Sequence, residues 1–260
     1  MTFENLQFSI ENKIATITIN RPKALNALNE QVLTELLKCF RDIRRHQEIG
    51  AVIITGSGDK SFVAGADIAT MPAMTALDAQ HFCELGHRTM RAIETCEFPV
   101  VAAVNGFCLG GGLELALSCD FIYASSTAKL GLPEVNLGIF PGFGGTQRLS
   151  RLIGRNRAKE LIYTARMISA DEALALGIVN KVCAPDQLMI EATKTVNTIL
   201  SKGPIAVKLV KKVINEGTDL PLASGLNLEA STFPLIFATE DKNEGVKAFL
   251  EKRQAKFSGK

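Results

Sequence analysis

The chain has 260 residues, of which 47% are hydrophobic, 22% charged and 6% aromatic, a mix that excludes a disordered or fibrous protein. Its 29 basic and 27 acidic side chains leave a net charge of only +2, and it has no tryptophan and two tyrosines. It therefore lacks both the lopsided basic patch and the stacking platforms of a nucleic-acid binder, and no nucleic-acid partner is expected.

Along the chain, Ile14-Ala-Thr-Ile-Thr-Ile19 alternates and is β-branched, which predicts a strand. Asn29 is placed to cap a helix whose apolar residues Val32, Leu33, Leu36, Leu37, Phe40 and Ile43 follow helical spacing. Ala51–Thr55 is a short buried strand that ends at Gly56-Ser57-Gly58. Thr75 and Asp78 form a capping pair for a helix to about Glu94. Val100–Val104 is the next buried strand, followed by a helix from about Gly111 to Ser118 and a strand at Phe121–Ala124. Beyond Gly138 the pattern is mostly helical, with Ser169 and Glu172 as a capping box and Gly177 as a stop. Strand, glycine-rich turn and helix thus repeat loosely through the first half, and the last third is helices. The expectation is an α/β core with a helical C-terminal appendage that must pack on something.

No signal peptide or Arg-rich transit segment is visible at Met1-Thr2-Phe3-Glu4-Asn5. A cytoplasmic location is expected, with a mitochondrial form that has lost its presequence as the alternative. The six cysteines (Cys39, Cys83, Cys96, Cys108, Cys119 and Cys183) include no C-x-x-C pair and read as reduced, mostly buried thiols. Phe98 to Leu117 is long enough to span a bilayer but holds Pro99, Asn105-Gly106, three glycines and Glu114. Burying that charge in lipid costs roughly 3 kcal/mol, so the stretch reads as core strand, turn and core helix, and no membrane partner is expected.

Several glycine clusters invite nucleotide readings and fail on spacing. Gly56-Ser-Gly-Asp-Lys60-Ser61 lacks the glycine directly before lysine that a P-loop needs, and Gly142-Phe-Gly144-Gly145-Thr-Gln147 has glutamine where a dinucleotide fingerprint has its last glycine. There is no G-x-S-x-G elbow. His81, Glu84 and His87 are too widely spread for a metal site, and no metal is expected. Two segments remain. Ala64-Gly65-Ala66-Asp67 follows a strand, and Gly110-Gly111-Gly112 opens a helix; one N–H from each would make an oxyanion hole. Tight turn packing is the favoured account of either segment alone. Glu114 in the first helical turn complements the helix dipole, whereas Glu134 lies in the apolar stretch Gly131-Leu-Pro-Glu-Val-Asn136, where a surface charge is out of place. Two glutamates beside two amide-donating loops describe a site for proton chemistry on carboxylates.

At these residues the sequence closely resembles the enoyl-CoA hydratase (crotonase) family. The resemblance runs almost end to end, through Asn20-Arg-Pro-Lys-Ala-Leu-Asn-Ala-Leu28, Phe62-Val-Ala-Gly-Ala-Asp-Ile68, Asn105-Gly106, Gly110-Gly-Gly-Leu-Glu114, Pro133-Glu134, Pro141 to Leu149 and Ala248-Phe-Leu-Glu-Lys-Arg253. The likeness is greatest to short-chain hydratases, because both glutamates of their pattern are present. It implies a superhelix of ββα turns at residues 1–195 and a C-terminal helical trimerisation region at 196–260, assembled as a homotrimer or a dimer of trimers.

The resemblance also implies syn hydration of a trans-2-enoyl-CoA to the 3-hydroxyacyl-CoA. Ala66 and Gly111 would supply the oxyanion N–H groups, worth roughly 3 kcal/mol each. Glu114, kept ionised by its helix end, would activate water, and Glu134 would donate the proton to Cα. Ala64, Ala66, Asp67, Ile68 and Ala69 would lie along the bound CoA, with Lys23 and Ala24 near it. Phe249 and Lys252, at i and i+3, would share a helix face and reach a neighbouring subunit's adenine and 3′-phosphate. Many relatives carry lysine where this chain has Ala69. Met71, Met74, Phe140 and Phe143 are candidates to line the acyl pocket. No metal or redox cofactor is expected, coenzyme A being part of the substrate. A double-bond isomerase is the nearest alternative activity. RNA binding through Lys38, Arg41, Arg44 and Arg45, known in one branch of the family, competes with a simple solvated helix face.

Overall fold

In the computed structural model, which describes residues 1–46 and 48–260, strands from the third to the eighth are dealt alternately to two sheets. β1 (Leu6–Glu11) and β2 (Ile14–Ile19) form an antiparallel hairpin. Its two-residue turn holds Asn12 and Lys13 at φ 49° and 68°, the positive values a type I′ turn needs. α1 (Glu30–Ile43) follows, with the Asn29 side chain accepting from the Val32 N–H and one face wholly buried. Then the repeat begins. β3 (Ala51–Gly56) pairs parallel to β2, β4 (Ser61–Val63) enters the second sheet, and α2 (Ala76–Glu94) closes the turn behind the complete Thr75/Asp78 capping box. β5 (Val100–Val104), β6 (Phe107–Leu109) and α3 (Gly111–Leu117) repeat the pattern. β7 (Phe121–Ser125) and β8 (Lys129–Gly131) begin a third turn, completed by α4 (Gly145–Ile153) and α5 (Arg155–Thr164). β9 (Ile168–Ser169), α6 (Ala170–Ala175) and β10 (Lys181–Cys183) finish both sheets.

The larger sheet runs β1-β2-β3-β5-β7-β10 and the smaller β4-β6-β8-β9. Every residue of β3 and β5 is buried, which is why these parallel strands read as unbroken apolar runs rather than alternating ones. β4 and β6 each end directly before a turn that contains glycine, β8 ends before the turn that holds Glu134, and the candidate site is assembled from those ends. Ser169 caps α6 through the Glu172 N–H, but the predicted reciprocal half of the box is not made: the Glu172 carboxylate turns to Arg166, 2.6 Å away.

The chain divides into two compact units, residues 1–96 with 100–193 and residues 97–99 with 194–260. α7 (Leu188–Leu200) crosses the division, two residues before the predicted boundary. The second unit holds α8 (Pro204–Gly217), α9 (Leu222–Thr232), α10 (Pro234–Phe237) and α11 (Glu240–Leu250). The Lys208 ammonium ties Glu97–Pro99 to α8, lying 2.9 Å from Glu97 and 5.0 Å from the centre of the Phe98 ring. The predicted pairing of Phe249 with Lys252 on one helix face is corrected here. α11 stops at Leu250, and Lys252 takes a left-handed φ of 53° while the Lys252 and Arg253 N–H groups close back on Phe249 and Ala248. That is the Schellman ending usually given to glycine, and it swings Lys252 off the helix. Among the described residues, no helix is long and apolar enough to cross a membrane.

Candidate active site

Two backbone segments of the first unit meet at the ends of β4 and β6. Residues 64–67 are clamped to residues 25–28: Ala64 N–H donates to Leu25 O (3.1 Å), Leu28 N–H to Gly65 O (2.9 Å) and Asp67 N–H to Leu28 O (2.8 Å). This parallel bridge uses the groups on either side of Ala66 and leaves the Ala66 N–H with no acceptor among the described residues. Gly111, the first residue of α3, likewise has an N–H without an acceptor there, as the start of any helix does. The segments touch at glycines. A Cβ on Gly110 would lie 3.6 Å from the Gly65 Cα, and one on Gly112 would run into the Val63 carbonyl. Gly65 (φ 105°) and Gly110 (φ 51°) also take backbone conformations open to few other residues.

Glu114 is 1% exposed in the first turn of α3. Its Oε1 accepts two backbone amides, from Phe143 (2.8 Å) and from Gly145 (2.7 Å) at the start of α4. Its Oε2 has no donor among the described residues, so it is the oxygen available to a water. Burial pushes its pKa up to about 6, against the pull of the two amides and of the Arg148 charge. Besides the start of its own helix, two amides at the start of a second helix favour the charged form, and burial outweighs them.

Glu134 begins a short 3-10 turn, Glu134–Leu137, that ends at Gly138 with φ 72°. Its Oε1 sits over Gly110, 3.1 Å from where a Cβ would be, and its Oε2 is buried with no hydrogen-bond partner among the described residues. Burial is the main cause of a pKa near 7, with Glu114 raising it further against a backbone hydrogen bond. An orphaned buried carboxyl oxygen beside two unused amides and a second carboxylate is poised for proton transfer to something seated between them.

The other predicted residues are distributed unevenly. Lys23 and Ala24 lie in the 3-10 turn Pro22–Ala24, next to the clamped segment, and Ile68 and Ala69 are exposed just beyond it. Asp67 serves the clamp: Arg21 holds its carboxylate at 2.9 Å while donating to Ala27 O at 2.6 Å. Phe143 is 4% exposed, its ring set in the notch at Gly86 and edge-on to Phe82 at 5.1 Å, whereas Phe140 is 71% exposed. Phe249 and Lys252 belong to the second unit. Sequence reasoning missed Arg21, Phe143 N–H, Gly145 N–H and Arg148. The run Gly142-Phe-Gly-Gly145 was the available signal, dismissed as a failed nucleotide loop when its amides in fact serve a carboxylate.

A model of the enoyl-CoA hydratase/isomerase family matches residues 9–260. Crotonyl-CoA hydratase of Syntrophomonas wolfei is 53% identical over 260 residues, covering 100% of both chains. Short-chain-enoyl-CoA hydratase of Clostridium acetobutylicum is 51% identical over 254 residues, covering 98% of this chain and 97% of its own. The crystal structure of enoyl-CoA hydratase from Bacillus anthracis matches with a TM-score of 0.95 at 41% identity, over 99% of this chain and 100% of that one.

Proposed function

The chain belongs to the enoyl-CoA hydratase/isomerase family, and on that footing we propose that it adds water reversibly to a trans-2-enoyl-CoA, giving the 3-hydroxyacyl-CoA. A short acyl chain fits the names of the two relatives at 53% and 51% identity. The observation that carries the reading is the unlike setting of two buried carboxyls, Glu114 pinned by two amides and Glu134 with an orphaned oxygen. Ala66 and Gly111 N–H groups take the thioester oxygen as charge builds on it, each worth roughly 3 kcal/mol. Glu114, ionised, draws a proton from water attacking Cβ, and Glu134, protonated, delivers one to Cα. Acting from one pocket, the two give syn addition. The steps move water and protons without any change of redox state, so they ask for no redox cofactor; the two amides polarise the thioester carbonyl and Glu114 activates the water, the tasks a metal would otherwise perform, and coenzyme A comes with the substrate. Lys23, Ala24 and the edge from Ala64 to Ala69 are assigned to its contacts. We place the reaction in the cytoplasm, where six free cysteines stay reduced. The test is an assay on enoyl-CoAs of graded length, following loss of the conjugated thioester absorbance. The 3-hydroxyacyl-CoA is the expected product; a 3-enoyl-CoA instead would overturn the reading.

Hydration needs Glu114 charged and Glu134 protonated, and dehydration needs the reverse. Both directions therefore require the pair to hold one proton. With limbs near 6 and near 7, kcat/KM is expected to trace a narrow bell centred between them, at the same pH in both directions. A flat profile from pH 5 to 8 (a fall of roughly sevenfold from the peak to each edge is expected) would contradict it. Both pKa values lie above the ordinary 4.5, so the folded state holds these protons more tightly than the unfolded chain. Stability contributed by the protonated forms is lost as pH rises from about 4.5 through 7.

We further propose a trimer or dimer of trimers, supported by the apolar side chains left exposed on the second unit, among them Leu222 (79%), Phe249 (82%) and Leu250 (75%). In that assembly Phe249 and Lys252 would face a neighbour's CoA. Lys252→Ala is expected to weaken acyl-CoA binding about twofold to fivefold, the range of an exposed ion pair, and to spare a substrate lacking the 3′-phosphate. Equal weakening of both substrates, or a fully active monomer in sedimentation, would remove Lys252 from the site.

A further inference from the structure

The turn that delivers two amides to Glu114 is itself held from outside. Arg148, in the first turn of α4, donates from Nη1 to the Phe143 carbonyl at 3.1 Å. Its Nε and Nη2 grip both oxygens of Glu94 on α2, at 3.1 and 3.0 Å. This bidentate fork fixes the guanidinium plane, which a lysine would not do. The glycines fit around it. Gly144 has φ 106°, and a Cβ there would run into Arg148 Nη1. A Cβ on Gly145 would press on Glu114 at 3.0 Å from both Cγ and Oε1. On the other side, the Cys83 thiol donates to the Gly142 carbonyl at 2.8 Å. The arginine therefore grips the carbonyl of the same residue whose N–H meets the catalytic carboxylate.

Building on the hydratase reading, we infer that Arg148, braced by Glu94, is a positioning residue for Glu114: it fixes the Phe143–Gly145 turn so that both amides meet one carboxylate oxygen. The side chains of Arg148 and Glu94 are 19% and 35% exposed and their contact is bidentate, so the pair also contributes to stability, and the test needs readouts that a merely stabilising pair would not move. The guanidinium also acts on Glu114 by its charge, opposing burial. Among the described residues, Glu134 from the 3-10 turn and Cys83 from α2 also interact electrostatically with Glu114, His87 lies 3.7 Å from Cys83, Glu94 grips Arg148, and Arg148 is the cation that acts on Glu114.

The test compares Arg148→Met and Arg148→Lys with the parent in two readouts. In hydration, Arg148→Met is expected to lose about 10²-fold in kcat, the usual cost of misplacing a reacting group by an ångström, with KM within about threefold. Arg148→Lys, which keeps the charge but not the fork, should recover about a tenth of the parental rate. In the substrate-free protein, carboxyl titration by carbon-13 NMR should show Glu114 moved upward from about 6 in Arg148→Met and nearer its parental value in Arg148→Lys. Combined with Glu114→Gln, Arg148→Met should add less than about twofold, since the group it positions is gone. Parental kcat in Arg148→Met, an unmoved Glu114 titration, or full additivity with Glu114→Gln would each overturn the inference. Should Arg148→Met fail to fold, Arg148→Lys decides by the same rate and titration. A parent inactive on every enoyl-CoA would defeat the hydratase reading instead, and the titration would still judge the positioning.

Discussion

Glu134→Gln is expected to lower kcat for hydration by about 10²- to 10⁴-fold while acyl-CoA affinity stays close to that of the parent. Glutamine keeps the volume and the Oε1 position over Gly110, so the pocket is not reshaped. It removes the one acidic proton the pocket can offer from the buried Oε2. The loss should fall on kcat because binding rests on backbone amides and CoA contacts. The basic limb of the pH profile, near 7, should disappear with it. Glu114→Gln should cost a similar factor and remove the limb near 6 instead, since its amide oxygen can still accept from Phe143 and Gly145. Because each substitution deletes a carboxyl whose ionisation is penalised by burial, both variants should be at least as stable as the parent at pH 8. Near-parental turnover in either would sink its assignment. A fall in thermal stability matching the fall in rate would point to damage instead of lost proton transfer.

The parts of this fold that were legible are those whose burial leaves a mark in side chains. β2, β3, β5 and β7 are apolar because they are covered, and α1 and α2 announce themselves by Asn29 and by Thr75 with Asp78. The second sheet was not legible. Its strands run two or three residues, too few for any period, and its pairing is dictated by the first sheet's connections. β1 was missed because its turn, Asn12-Lys13, uses positive φ without a glycine to signal it. At the site, Glu114 and Glu134 stood out as charges in apolar sequence. What holds Glu114 did not, because a backbone N–H has no residue code. The Lys252 error has the same root: i, i+3 spacing presumes a helix that the chain ends two residues earlier.

Gly111→Pro is expected to cost about 10²- to 10³-fold in kcat beyond whatever Gly111→Ala costs, and the pair isolates a single N–H. Alanine keeps the donor. Its methyl would meet Leu28 Cδ1 and Phe143 Cδ2 at 3.3 Å, side-chain atoms that can yield by tenths of an ångström. Proline deletes the donor at the first helical residue of α3, the position where its fixed φ suits a helix and no intrahelical hydrogen bond is lost. The remaining difference between the variants is then at the thioester oxygen: the lost contact and the ring methylene that takes the place of the N–H. Infrared spectra of bound enoyl-CoA read that contact directly: the carbonyl band should shift to lower frequency in the parent and in Gly111→Ala, and lie nearer the free position in Gly111→Pro. The Ala66 N–H persists in all three, clamped by Leu28, so part of the shift should survive in the proline variant. A band unshifted in the parent would remove the oxyanion hole from the mechanism, and equal rates in the two variants would show that Gly111 serves packing alone.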